Sequence, residues 1–110
     1  MKTLLWVDDA RNPMEDDWMN FSPIGRNCKV IWVQSYQEAI DFLEKKWPDA
    51  ICLDHDLGEE KSGYDIAKYI VDRCINECRE LPLFASQSAN PVGRENILGL
   101  LNRYKKFIES

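Results

Sequence analysis

Three separated stretches gather the groups able to do metal or phosphate chemistry. In WVDDARNP (Trp6–Pro13), Asp8 and Asp9 come straight after an apolar run, and Arg11 and Pro13 follow. LDHDLG (53–58) carries Asp54, His55 and Asp56, and SQSANPVG (86–93) carries Ser88, Asn90 and Gly93. Carboxylates crowded into one crevice raise one another's pKa unless a cation neutralises them. An all-oxygen donor set suits a hard divalent ion, Mg2+ or Mn2+. Taken singly, each acid is equally well a solvated cap at a strand end. Asp8, Asp9 and Asp54 become a cation site only if the fold brings them together.

The surrounding residues point to an anion beside that cation. The Arg11 guanidinium can grip two phosphate oxygens, or it can pair locally with Glu15 or Asp16. Asn90-Pro91 reads as N-cap and first residue of a helix, whose free N–H groups offer an anion site. Ser88 lies just before it, and Gly93 leaves room for close approach. Arg94 in the same turn opposes the helix dipole, which an anion or acid nearby would offset. Strand alternation turns His55 away from the side shared by Asp54 and Asp56, where it is either a proton carrier or a packed loop residue. Asp54 or Asp56 can serve as nucleophile or base. Trp18 is placed to roof the site and stack on a base.

These groups need strands to hold them. Leu4–Val7 is a continuous apolar run ending at charges, as a fully buried strand does. Lys29–Val33, Ala50–Leu53 and Leu81–Ala85 follow as further strands. Ser35 with Glu38 forms a capping box opening a helix with Tyr36, Ala39, Ile40 and Leu43 on one face, closed by Pro48. A second helix carries Ile66, Ile70, Cys74 and Cys78, and a third carries Ile97, Leu101, Tyr104 and Ile108. Residues 10–27 hold Pro13, Pro23 and Gly25, so they read as loop with room for one short helix around Met14, Trp18 and Phe21. Strands alternating with helices imply βαβ units and a parallel sheet with helices on both faces. In such a sheet ligands bind beyond the carboxyl ends of the strands, where all three stretches fall.

At 110 residues and 45% hydrophobic, the chain is expected to be one domain (1–110) with a modest core. A net charge of -5 argues against a broad nucleic-acid surface. Cys28, Cys52, Cys74 and Cys78 show no CxxC spacing, and His55 is the sole histidine, so reduced thiols in a cytoplasmic protein are expected. The opening MKTLLWVDD turns acidic too soon for a signal peptide, and no stretch could span a membrane.

VDD, ICLDHDLG, the later Gly63 and a small hydroxyl residue after the fourth strand resemble a response-regulator receiver domain. The resemblance implies a flavodoxin/CheY-like three-layer α/β sandwich, with four parallel strands in the order 2-1-3-4. It implies that Asp8 and Asp9 help hold Mg2+, that Asp54 accepts a phosphoryl group and that the Asp56 carbonyl is a further metal ligand. The fifth strand and its lysine are lacking. DDARNP, DHDLG and QSANPVG are similar to the patterns of cyclic-phosphate-processing receiver-like domains, except that Gln87 stands where histidine is expected. The expectation is therefore a metal-dependent domain that binds a phosphate-bearing small molecule such as a cyclic phosphate or nucleotide, with or without processing it. The rivals are a phospho-accepting module read by a protein partner, and a degenerate interaction domain without chemistry.

Overall fold

Runs of Leu, Ile, Val and Trp with no interior Gly or Pro make strands that sit between two apolar layers. The computed structural model, which describes residues 1–110, contains β1 (Thr3–Val7), β2 (Lys29–Val33), β3 (Ala50–Leu53) and β4 (Leu83–Ala85). They form one parallel sheet in the order β2-β1-β3-β4. Trp6 pairs with Trp32 on one side and Cys52 on the other, so the ends of β1, β2 and β3 lie level. β4 is shorter than its apolar run because Pro82 has no N–H to offer a ladder.

The helices are α1 (Tyr36–Lys45), α2 (Gly63–Glu77) and α3 (Pro91–Glu109). Ser35 Oγ caps α1 by accepting from the Glu38 N–H at 3.1 Å, while Glu38 reaches back to the Gln34 N–H, one residue beyond a true box. The reciprocal capping box is at α2, between Ser62 and Asp65. Cys78 terminates α2 in a left-handed conformation and is exposed, so it does not extend the apolar stripe of Ile66, Ile70 and Cys74. Asn90 caps α3 through the Gly93 N–H at 3.1 Å.

The outer layers differ from the expected pair of helical faces. Leu5, Val7, Ile51 and Leu53 pack with apolar residues of all three helices in a cluster of 16 buried residues. The alternate residues Leu4, Trp6, Ala50 and Cys52 face the other way and meet Met19, with Trp18, Ile24 and Cys28 around them. That second layer is the 10–28 segment, whose one regular piece is a short 3-10 helix, Trp18–Phe21. Pro13 and Pro23, with left-handed backbone at Asp16 and Gly25, prevent a longer helix there. Met14 lies outside the 3-10 helix and is exposed. All four cysteines are free thiols, and burial pushes Cys52 up to about 12. No helix is long and apolar enough to cross a membrane.

Candidate functional site

The main chain sets Asp8 and Asp54 at adjoining strand ends. Asp8 N–H donates to the Val33 carbonyl at 3.1 Å, and Asp54 N–H donates to the Val7 carbonyl at 2.9 Å, carrying the ladder one residue past each strand. Carboxylate oxygens of Asp8, Asp9 and Asp54 then lie within 4.8 Å of one another, with Asp8 and Asp54 buried and Asp9 exposed. Ligands at opposite corners of one Mg2+ stand about 4.2 Å apart, twice a 2.1 Å bond, so the oxygen donors nearly span one small cation. Asp8 Oδ1 is fixed by the N–H groups of Ala10 (3.0 Å) and Arg11 (2.8 Å), which leaves Oδ2 on the crevice side. The Asp54 carboxyl is raised to about 6, first by burial and then by Asp8, against the opposing pull of Arg11 and the Ser88 hydroxyl.

Two glycines let the loops close around this cluster. Gly58 has φ +68, and a Cβ there would stand 3.1 Å from Asp9 Oδ2. A Cβ on Gly63 would collide with the Asp54 carbonyl, because the start of α2 is drawn in by its N–H bond to the His55 carbonyl.

Arg11 pairs neither with Glu15 nor with Asp16. Its guanidinium stands 3.6 Å from Asp8 Oδ2 and 3.9 Å from Asp54 Oδ1, and it donates to the Gln87 carbonyl at 3.1 Å. It lies 4.7 Å from the centre of the Trp18 ring, and Trp18 stacks on Phe21. Trp18 thus supports the arginine, and that ring face is taken where a stacked base was expected.

The third strand end is latched to the other two. Ser86 Oγ donates to the Leu53 carbonyl at 2.7 Å, and Gln87 Nε2 donates to the Val7 carbonyl at 3.0 Å and lies 3.4 Å from Asp8 Oδ2. Gln87 is 2% exposed, and its Oε1 is buried with no partner. Ser88 Oγ accepts from the Asn90 N–H at 3.1 Å. Sequence reasoning singled out neither Ser86 nor the latching role of Gln87; polar residues directly after an apolar strand were the available signal. Trp32, expected only to pack on a sheet face or helix end, also reaches the site: its Nε1 donates to the Asp8 carbonyl at 2.9 Å.

A second group sits apart from the three acids. His55 Nδ1 is 2.9 Å from Asp56 Oδ1, and Asn90 Nδ2 donates to Asp56 Oδ2 at 3.3 Å. These hydrogen bonds, that from His55 first, hold the Asp56 carboxyl below its ordinary value. Asp56 therefore turns toward His55 and not toward Asp54, contrary to the shared side expected from alternation. The room at Gly93 is filled by the His55 ring, and the Gly93 N–H is spent on Asn90, so neither is open to a phosphate. Arg94 is exposed and takes part in none of the chain's ion pairs.

Comparison with known proteins agrees with this geometry. The cyclic-phosphate processing receiver domain family matches residues 3–103. The chain belongs to that family. No curated protein sequence matches it. The phosphorylated cyanobacterial phytochrome response regulator RcpA is similar in fold, with a TM-score of 0.60 at 19% identity over 97% of this chain and 88% of that one. A fusion carrying the trimeric coiled coil of yeast Spc42 is similar at TM-score 0.54 and 20% identity, over 98% and 81%. Within the matched residues, Asp8, Asp9 and Asp54 form an acidic cluster like a receiver-type metal or phosphorylation site.

Proposed function

We propose that this receiver domain holds Mg2+ or Mn2+ on Asp8, Asp9 and Asp54 and binds a small cyclic phosphate beside it for processing. The observation that carries the reading is the convergence of three carboxylates and one arginine from the chain beyond β1 and β3 in a partly buried crevice. Three acids and one guanidinium leave excess negative charge, and the Asp54 carboxyl is raised first by its burial and then by Asp8, with a further push from Asp9. A divalent ion relieves it and, when bound, polarises phosphoryl oxygens.

The chain's own side chains supply the rest. Arg11, steadied over Trp18, presents its remaining N–H groups to an anion. Gln87 holds Asp8 by its amide N–H. Its buried Oε1 has an unused lone pair that a hydroxyl or a bound water can satisfy. Asp56 and His55, tied to each other and to Asn90, brace the start of α3, and the proton-carrying role expected of His55 requires ring motion away from Gly93.

A direct test is hydrolysis of a panel of cyclic phosphates with Mg2+ or Mn2+, with binding followed by calorimetry. Asp54→Asn is expected to abolish turnover and weaken metal binding at least tenfold. No binding of metal or of any cyclic phosphate would overturn the reading. A stable mass gain from acetyl phosphate, lost in Asp54→Asn, would instead support the phospho-accepting module, which the buried Asp54 beside Ser88 also suits.

A further inference from the structure

Resting on the phosphate reading above, we propose that a separate cavity beside the acids takes the aromatic base of a nucleoside phosphate. It encloses about 340 Å³ between the 12–14 stretch and the outer face of β2. That is the low end of the range of small-molecule sites, about 300–1,000 Å³. Trp32, Met14 and Met19 supply its apolar wall, and Asn12 and Arg26 supply polar groups.

Trp32 joins the two sites. Its Nε1 is held by the Asp8 carbonyl at 2.9 Å, which fixes the indole while the residue stays 37% exposed. An immobilised aromatic surface with its own N–H already satisfied is suited to stacking. Met14, 64% exposed on the same cavity, offers a flexible thioether that can settle on a second ring. Asn12 Oδ1 accepts from the Met14 N–H at 2.9 Å, which orients the amide and leaves its NH2 able to donate to a ring nitrogen or carbonyl. Arg26 uses one guanidinium nitrogen on Asn20 and keeps others available. A hydrocarbon ligand would leave both polar groups unused, whereas a heteroaromatic base engages both.

The Asp8–Arg11 turn runs directly into Asn12 and Met14, so one continuous stretch borders both the phosphate site and the cavity. With the Trp18 face occupied by Arg11, Trp32 is the tryptophan left to receive a base.

The test compares adenosine 2′,3′-cyclic phosphate, glycerol 1,2-cyclic phosphate and adenosine on the full chain with Mg2+. Calorimetry and the indole N–H resonance of Trp32 provide the readouts. The nucleoside cyclic phosphate is expected to bind about 10-fold tighter than the glycerol compound, within the range of base–aromatic stacking. Trp32→Ala should erase that preference, read as the ratio of the two affinities, whereas Trp32→Phe, which loses the same N–H to Asp8 but keeps an aromatic ring, should keep most of it. Met14→Glu, at an exposed position, should reduce it about threefold and serves if Trp32→Ala does not fold. Equal affinity of the two cyclic phosphates, or a preference surviving in Trp32→Ala, overturns the base site while the phosphate reading stands. If only adenosine binds and shifts Trp32, the phosphate reading falls and the base site stands. If none of the three binds, both fall.

Discussion

The two faces of this sheet are built to different standards. One carries three capped helices and a cluster of 16 buried residues, and the other carries an irregular segment over a cluster of five. The helical face holds most of the core. The irregular face delivers Arg11 and its Trp18 support to the acids. A loop can place an arginine over a carboxylate pair without the register that a helix would impose, so function sits on the layer with less packing.

Adjacent residues of β1 allow the sharpest test of that division. Leu5 and Leu4 are both fully buried but face opposite layers. Leu5→Ala is expected to cost about 4 kcal/mol and Leu4→Ala about 2 kcal/mol, because the loop can collapse into the space. Equal losses in denaturant unfolding would erase the distinction. Gly63→Ala, on the helical side, forces a methyl group into the Asp54 carbonyl. A loss on the order of 3 kcal/mol, with weaker Mg2+ binding, is expected from thermal melts and calorimetry.

Asp54→Asn should act in the opposite direction on stability. The native carboxyl keeps its proton to about 6, against an ordinary value of 3.8. Between those values the native chain binds more protons than the unfolded one, so stability falls as pH rises from about 4 through 6 and then levels off. Without metal at pH 7.5, Asn is expected to raise stability by on the order of 2 kcal/mol, and the fall in stability between about pH 4 and 6 should lessen by that amount. A melting temperature unchanged by the substitution across that range contradicts the electrostatic account. The smallest effect is expected at the loop layer's surface: Trp18→Ala should cost about 1 kcal/mol in stability, yet weaken cyclic-phosphate binding several-fold by freeing Arg11.

The strands were legible because each is an apolar run ending at a charged or polar residue; β2 and β3 begin and end where the residue types change. The acid triad was legible for the same reason, since parallel strands align their carboxyl ends. Orientation beyond those ends was not. Alternation applies only within a strand, so the turn of Asp56 toward His55 and Asn90 follows from side-chain hydrogen bonds formed after the chain leaves β3. Gly93 was recognised as a point of close approach, but a glycine does not say what approaches; here it is His55. Helices on both faces followed from the βαβ rule, and prolines and left-handed residues in the 10–28 segment override that rule locally.

The ladder bonds from Asp8 to Val33 and from Asp54 to Val7 also bear on timing. Amides tied into the central strands exchange with solvent only when the whole molecule opens, whereas an arginine held by side-chain contacts moves on its own much faster clock. The carboxylates thus behave as a fixed socket. Arrival and departure of a ligand become a matter of how often Arg11 lets go.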